Sequence, residues 1–195
     1  MIDPANTDDH ATPLEPGERD GLIPTHISLK SELNELEQKN IGSADRWAFG
    51  RRHTILRDRF LKALHRRMFN RVWKWAGKYR STERNLGVKP YLIEPEFHQA
   101  ISDAKYWIEN KSYPPDEIAV RFHHRIVSIH PFPNENGRWS RLAADLLIKQ
   151  LGGTRFSWGG GVDLRTASKA RDEYIAALRA ADNHDFGPLL KFARS

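Results

Sequence analysis

Apolar residues recur at helical spacing along most of the chain from about residue 31 onward. The spacing predicts helices over about 31 to 50, 54 to 70, 95 to 110, 115 to 130, 136 to 151, 165 to 181 and 188 to 194. Thr54 is the predicted N-cap of the second helix, and Pro95 and Pro115 fall in first turns, where proline removes no helical hydrogen bond. The pattern therefore predicts an all-α fold.

One interruption departs from helical spacing, between the second and third predicted helices. The turn-forming sequence Asn85-Leu86-Gly87 separates residues 79–82 from the mostly apolar stretch Val88–Ile93. This arrangement predicts a small β-hairpin flap. An edge strand over Val88–Ile93 would align an extended target segment by main-chain pairing, although Pro90 removes one donor, and an ordinary surface hairpin is the alternative.

Residues 1–22 are rich in Pro, Asp, Glu and Thr and hold few large apolar groups, so we predict a mobile acidic tail. Residues 23–195 have the length of a single domain. The sequence contains no cysteine, which excludes a thiol nucleophile and a zinc-thiolate site. It also contains no apolar run of membrane-spanning length and no signal-peptide pattern, so we expect a cytoplasmic protein without a membrane partner.

The charge is unevenly distributed along the chain. The net charge is +6, and residues 51–80 hold eleven Lys and Arg against the single Asp58. A basic stretch interleaved with Trp73 and Trp75 is compatible with nucleic-acid binding, and this is one of the functions that the sequence allows. A solvated basic face with core tryptophans is the simpler interpretation.

Candidate chemistry is concentrated between the fourth and fifth predicted helices, in the stretch HPFPNENGRWSR at residues 130–141. A helix start near Asn136 presents unpaired N–H groups and a positive dipole end. Arg138 and Arg141 lie three residues apart, so both guanidinium groups can face one anion. His130 ends the preceding helix and can act as a base beside that anion. The alternative is an ordinary loop followed by a solvated arginine pair.

This stretch resembles the signature of the Fic family, His-x-Phe-x-Asp/Glu-Gly-Asn-Gly-Arg-x-x-Arg. His130, Phe132, Asn136, Gly137, Arg138 and Arg141 match it at the right spacing. The segments WAGKYR at 75–80 and YIAALRAADNHD at 174–185 are similar to the family's flap entrance and C-terminal helix. The N-terminal part, with Thr25-His26-Ile27-Ser28 followed by Glu32-Leu33-Asn34-Glu35, is similar to a subgroup called mobile mystery protein B.

The resemblance implies a helical Fic domain over 23–195 that transfers AMP from ATP, with Mg²⁺, to a hydroxyl of a target protein docked on the flap. His130 would deprotonate that hydroxyl, and the backbone of Asn136 and Gly137 with the side chains of Arg138 and Arg141 would bind phosphates. Tyr174 and Asp182 match nucleoside-pocket positions, with a core tyrosine and a helix-end aspartate as the alternative. A different phosphate-containing donor also remains open, as does the oligomeric state.

Two positions depart from the signature. Asn134 replaces the acidic residue that binds Mg²⁺, and an amide oxygen is a weaker ligand for a hard cation. Glu135 replaces a glycine and adds a negative charge beside the phosphate site. We expect weak activity and poor metal binding, unless Glu135 itself supplies the metal carboxylate.

Glu37 lies on the apolar stripe of the first helix, four residues from both Leu33 and Ile41. Some Fic proteins carry an inhibitory helix with the pattern Ser/Thr-x-x-x-Glu-Gly/Asn, whose glutamate pairs with the second motif arginine. The resemblance makes Glu37 the inhibitory glutamate and Arg141 its partner. Glu35 is the rival, because Ser31 precedes it at the family spacing.

Overall fold

The computed structural model describes residues 21–161, 164 and 168–195. These residues form seven α-helices: α1 Lys30–Phe49, α2 Asp58–Phe69, α3 Ile93–Glu109, α4 Pro115–Ile129, α5 Asn136–Gln150, α6 Lys169–Asp182 and α7 Gly187–Arg194. A short 3-10 helix, Pro90–Leu92, leads into α3. The predicted all-α fold is confirmed. None of the helices in the described part of the chain is both long enough and apolar enough to cross a bilayer.

The second and sixth helices begin later in the chain than predicted, as far as the described residues show. The second helix begins at Asp58, so the prediction of Thr54 as its N-cap is wrong. Ile55 and Leu56 lie before the helix and are buried, so these residues pack into the core without helical hydrogen bonding. The predicted start of the sixth helix, residue 165, lies outside the described residues. The described helix begins at Lys169, and the Ser168 hydroxyl accepts a hydrogen bond from the Arg171 amide at 3.2 Å.

The chain groups into two compact units. The first unit comprises residues up to His53 together with Lys62–Lys78, and the second comprises Thr54–Leu61 together with Tyr79–Ser195. The prediction of one domain over 23–195 stays a prediction. Of the predicted tail, residues 1–20 lie outside the described residues, whereas Leu22 is buried and forms an antiparallel bridge with Trp73.

Polar side chains organise the first unit around α1. The Asn40 amide donates to the carbonyl of Arg67 at 2.7 Å and accepts from the amide of Arg71 at 3.0 Å, so one buried side chain joins α1 to the end of α2. The Trp73 indole donates to the Glu37 carboxylate at 2.7 Å. The inward face of α1 consists of Glu37, Asn40, Ala44 and Ala48. Because two of these four are polar, their hydrogen bonds offset the cost of burying them.

In the second unit, α4 packs between α3 and α5. An aromatic cluster fills the space around the loop that follows α4: Phe97 and Trp139 stack with ring centroids 5.9 Å apart, and Phe132 meets Trp139 edge-on at 4.9 Å. The Trp139 indole donates to the carbonyl of Leu61 at 3.0 Å. Burying these large rings, with their polar atoms bonded, anchors the loop to the core.

The predicted β-hairpin flap is wrong. No strand pairing forms between 79–82 and 88–93 in the described chain, and Pro90–Leu92 is helical instead of an edge strand. The physical reason is the side chain of Arg80, which is only 4% exposed. Its guanidinium donates to the carbonyls of Thr82 and Val88, so a buried side chain supplies the hydrogen bonds that a ladder would have supplied.

Two hydrogen bonds connect α6 to neighbouring histidines of α4. The Tyr174 hydroxyl lies 2.9 Å from His123 Nε2, and the Asp182 carboxylate lies 2.8 Å from His124 Nε2. Burial, with the nearby positive charge of Arg141, lowers the pKa of His123 to about 3. His123 is therefore neutral at pH 7 and acts as a hydrogen-bonding residue of the core.

Candidate active site

His130 stands at the junction between α4 and the loop that follows. It caps the C-terminus of α4 in the left-handed conformation, with φ 52° and ψ 59°, and its amide donates to the carbonyl of Val127. The side chain is half-buried. Burial first, and then the positive charges of Arg80 and Arg84, lower the pKa of His130 below its ordinary value. The imidazole is therefore neutral at pH 7 and able to accept a proton.

Asn136 closes the loop between His130 and α5. Its side-chain oxygen accepts from the Phe132 amide at 2.9 Å, and its side-chain nitrogen donates to the Phe132 carbonyl at 2.9 Å. Asn136 is only 1% exposed and Phe132 is fully buried. This double hydrogen bond folds residues 132–136 into a fixed turn. The turn therefore fixes the position of His130 relative to the start of α5.

Glu135 occupies the N-cap position of α5 in the left-handed conformation, with φ 66° and ψ 15°. A residue with a side chain pays roughly 1–2 kcal/mol in this region, which glycine does not. The Glu135 carboxylate accepts a hydrogen bond from Arg138 Nε. The side chains are only 11% and 10% exposed, respectively, so solvent weakens this ion pair little. One of the two motif arginines is therefore paired with a carboxylate of its own loop.

Arg141 has a different environment. Its guanidinium carbon lies 5.4 Å from the centroid of the Tyr174 ring, a cation–π distance. A Cβ atom built on Gly137 would lie 3.5 Å from Arg141 Nη1, which places the guanidinium beside the first turn of α5. Arg141 thus lies beside two predicted site residues, Gly137 at the helix start and Tyr174, and the Tyr174 hydroxyl is hydrogen-bonded to His123.

The two predicted nucleoside-pocket residues lie at different places along α6. Tyr174 is buried, and burial raises the pKa of its hydroxyl. Asp182 lies eight residues further on, about 12 Å along the helix axis. Its side chain is 60% exposed and is joined to α4 through His124. Tyr174 is therefore connected to the arginine pair through Arg141, whereas the described contact of Asp182 is with His124, the residue that follows His123 in α4.

The structure distinguishes the two inhibitory candidates by burial. Glu37 is only 3% exposed and accepts the Trp73 indole hydrogen bond, which confirms that it faces inward. Glu35 is exposed and pairs with Lys39 at 2.7 Å on the surface of α1. The inhibitory role of Glu37 and its partnership with Arg141 stay predictions.

The tryptophans of the basic stretch have structural contacts. Trp73 is buried, and its ring stacks on Trp75 with centroids 5.0 Å apart. The His65 ring lies 5.9 Å from Trp75. Single-stranded nucleic acid needs open aromatic faces for stacking. Trp73 is therefore not available as a stacking platform, and this argues against the nucleic-acid alternative.

Sequence reasoning missed two residues of this region. Arg80 donates through Nε to the His130 carbonyl at 2.7 Å, yet the sequence placed it only in the approach to a hairpin. His123 supports the Tyr174 hydroxyl, but it was one of several helical histidines without a distinguishing pattern. The only sequence signal for His123 is its position seven residues, two helical turns, before His130.

Comparison with known proteins agrees with this geometry. The family model described as Fic/DOC family matches residues 55–148. A Fido domain-containing protein of Dictyostelium discoideum is 30% identical over 112 residues, covering 55% of this chain and 73% of that protein. The protein adenylyltransferase fic-1 of Caenorhabditis briggsae is 30% identical over 145 residues, covering 72% of this chain. The chain spans only 27% of that adenylyltransferase.

A solved structure shows the same fold. The crystal structure of BepC, a VirB-translocated effector protein of Bartonella tribocorum with bound AMPPNP, superposes with a TM-score of 0.64 at 19% identity. The superposition covers 90% of this chain and 95% of that chain. The mobile mystery protein B subgroup stays a prediction. With the motif residues gathered at the α4–α5 junction, these matches show that the chain belongs to the Fic/Fido domain family.

Proposed function

We propose that this protein is a Fic-type nucleotidyltransferase that moves AMP from ATP to a hydroxyl side chain of a target protein. One observation carries the proposal: a neutral histidine caps α4 and two arginines lie near the start of α5, with one rigid turn between them. The names of similar proteins, an adenylyltransferase and an effector solved with AMPPNP, support the choice of an adenine nucleotide.

The transfer conserves atoms and charge as follows. The oxygen of the target hydroxyl forms a bond to the α-phosphorus of ATP, and the bond from that phosphorus to the bridging oxygen of the β-phosphate breaks. Pyrophosphate leaves with the electron pair of the broken bond. The hydroxyl proton passes to the imidazole of His130, which the lowered pKa keeps neutral before the reaction.

Positive charge is the second requirement of this chemistry. The Arg141 guanidinium lies beside the first turn of α5, where the backbone N–H groups and the helix dipole also favour an anion. Arg138 is its partner for the outer phosphates once Glu135 is displaced. Stabilising the negative charge that develops on the phosphates is the main electrostatic contribution of such a site.

The residues at the expected metal position do not fit a Mg²⁺ ion held by the protein. The Asn134 side-chain oxygen accepts from the Glu135 amide at 2.9 Å, and the Glu135 carboxylate is bound to Arg138. No group of three His, Asp or Glu side chains suited to a metal occurs among the described residues. Mg²⁺ prefers octahedral oxygen ligands that include a carboxylate. We therefore assign no step to Mg²⁺, and its role stays open to the Glu135 experiment below.

His130→Ala should abolish transfer, with a loss of roughly 10² to 10⁴ in rate, while nucleotide binding persists. The assay is labelling of protein with α-labelled ATP. His98→Ala is the matched control, because His98 is exposed on α3. The acidic limb of the wild-type pH profile should lie below 6.5, because His130 must be neutral to act. Unchanged labelling of the His130→Ala protein would remove this residue from the mechanism.

Glu135→Gly should raise nucleotide affinity by about tenfold, because it releases Arg138 and removes a carboxylate from the phosphate site. Glu135→Gln isolates the charge, since it keeps the side chain and its left-handed backbone. Asn134→Asp in addition should raise Mg²⁺-dependent turnover. Binding of a non-hydrolysable ATP analogue and labelling rates are the measurements.

The opposite result has a definite meaning. If Glu135→Gly and Glu135→Gln both lower Mg²⁺ affinity and turnover, Glu135 is the metal carboxylate. The expectation that Glu135 impairs the catalytic loop would then be wrong.

We also propose that α1 restrains the enzyme through Glu37. Glu37→Gln keeps an oxygen that can accept the Trp73 indole hydrogen bond but removes the charge. We expect this change and Glu37→Gly to raise labelling and ATP affinity. In this proposal the Glu37 carboxylate competes with the nucleotide phosphates for Arg141, and both changes remove that carboxylate. Glu35→Gly is the matched control, with the same helical cost of about 1 kcal/mol on the exposed face of α1.

Two outcomes would contradict this role. If Glu37→Gln labels no better than the wild type, Glu37 is a structural partner of Trp73 alone. If Glu35→Gly activates equally, loosening of α1 and not the charge of Glu37 controls the enzyme.

The target protein is proposed to dock near Val88–Ile93. The side chains of Leu86, Tyr91 and Leu92 are 68%, 72% and 36% exposed, so three large apolar groups within seven residues of the chain are open to solvent. Because no edge strand forms there, side chains and not main-chain pairing would bind the target.

Tyr91→Ala should therefore weaken labelling of a target protein while leaving nucleotide binding unchanged. The measurement is the rate of target labelling as a function of target concentration. Tyr106→Ala is the control, because Tyr106 is another exposed tyrosine, near the far end of α3. Equal effects of the two substitutions would contradict docking at this segment.

A further inference from the structure

Residues 80–88 are tied to His130 by backbone and side-chain contacts. Arg80 donates through Nε to the His130 carbonyl at 2.7 Å, and its amide donates to the Pro131 carbonyl at 2.9 Å. The Val88 amide donates to the Ile129 carbonyl at 3.3 Å. The segment therefore pairs with three consecutive residues at the end of α4.

Gly87 brings this segment into direct contact with His130. Its φ of +90° lies in the region that favours glycine. A Cβ atom at this position would lie 2.5 Å from the Cβ of His130 and 2.7 Å from the carbonyl oxygen of Ile129. No side chain fits there, so the backbone of Gly87 forms a wall against His130.

The guanidinium of Arg80 holds this wall in place. It is 4% exposed and uses Nε, Nη1 and Nη2 on the carbonyls of His130, Thr82 and Val88. The first of these carbonyls belongs to the cap of α4, at the negative end of the helix dipole. A planar fork that reaches three carbonyls in different directions is a geometry that lysine does not supply.

We propose that Arg80 is the positioning residue of His130: its guanidinium joins the α4 cap to residues 82–88 and fixes the orientation of the imidazole. The catalytic consequence rests on the proposed function, because it requires His130 to be the base. The structural part stands by itself, on hydrogen bonds that determine where the His130 backbone lies.

The need for such support follows from the backbone of His130. A left-handed conformation costs a residue with a side chain roughly 1–2 kcal/mol, so the surrounding contacts must maintain it. The hydrogen bonds from Arg80 to the His130 and Pro131 carbonyls hold the two consecutive peptide groups that follow His130. If they are lost, His130 can relax toward other conformations, and a base displaced by about 1 Å loses up to about 10² in rate.

Arg84 separates hydrogen bonding from charge. Burial first, and then the positive charges of Arg80 and Arg84, lower the pKa of His130, but Arg84 is exposed. Arg84→Met therefore removes a charge near His130 and keeps the contacts of Arg80. Arg80→Lys keeps the charge and removes the fork. The pair of variants distinguishes positioning from electrostatics.

The decisive experiment is NMR of the full chain, with the His130 ring signal identified by its loss in His130→Gln. In Arg80→Lys we expect a broadened or multiple His130 signal, faster hydrogen exchange of the Val88 amide, and a kcat reduced about 10- to 100-fold with little change in KM for ATP. In Arg84→Met we expect a single His130 signal that titrates at higher pH, with Val88 exchange as in the wild type.

If Arg80→Lys is folded and leaves the His130 signal and Val88 exchange unchanged, the positioning role is wrong. If Arg80→Lys does not fold, Gly87→Ala provides the second test, because its methyl group must displace His130. A Gly87→Ala protein with the wild-type His130 signal would equally overturn the proposal. Failure of the wild type to transfer any nucleotide would reject the proposed function, and the NMR results would still decide the role of Arg80.

Discussion

The double hydrogen bond between the Asn136 side chain and the backbone of Phe132 is the constraint on which the candidate site depends. It converts six residues between two helices into a turn with little freedom. Phe132 carries this turn into the aromatic core, so the loop inherits the rigidity of the packed rings. A base at one end and an anion-binding helix start at the other can then keep a constant separation. Removing that constraint would leave each group present but unaligned.

The charges around this turn act in opposite directions on an incoming anion. Burial first, and then the positive charges of Arg80 and Arg84, lower the pKa of His130, and Arg141 lies beside the start of α5, so the region favours an incoming anion. Glu135 already places a carboxylate on Arg138 within the same turn. A charge-assisted hydrogen bond of this kind is worth about 1.5–3 kcal/mol, which a phosphate must replace before Arg138 contributes to binding. In the proposed function, Glu135 would therefore lower the affinity for nucleotide by holding Arg138.

The sequence predicted the elements that depend on local periodicity. The helix pattern gave α4 and α5 within one residue of their ends, because their apolar spacing and flanking Pro131 and Asn136 act locally. The inward position of Glu37 followed from the same reasoning. The spacing from His130 to Arg141 also identified the region of the candidate site, because the turn and the helix start both depend on residues that are close in sequence.

The prediction of the β-hairpin flap was wrong because the flap region depends on tertiary contacts. Asn85 and Gly87 favour a turn, but whether the flanking residues pair with each other depends on the buried side chain of Arg80 and on carbonyls about 50 residues away in sequence. Periodicity contains no information about such a partner. The support of Tyr174 by His123 across 51 residues was beyond local patterns for the same reason. Long-range polar contacts, and not helix placement, were the part that required the structure.

The proposed transfer of a nucleotidyl group to a hydroxyl depends on the groups that the turn between α4 and α5 holds in place. The most direct test is intact-protein mass spectrometry with pyrophosphate and phosphate release measured in the same sample, for ATP, UTP, GTP and CDP-choline in parallel. We expect ATP to give a mass increase of one adenylate and the release of one pyrophosphate for each modified hydroxyl, and His130→Ala to give neither. A mass increase of one phosphate with release of ADP, or modification by another donor in place of ATP, would contradict it.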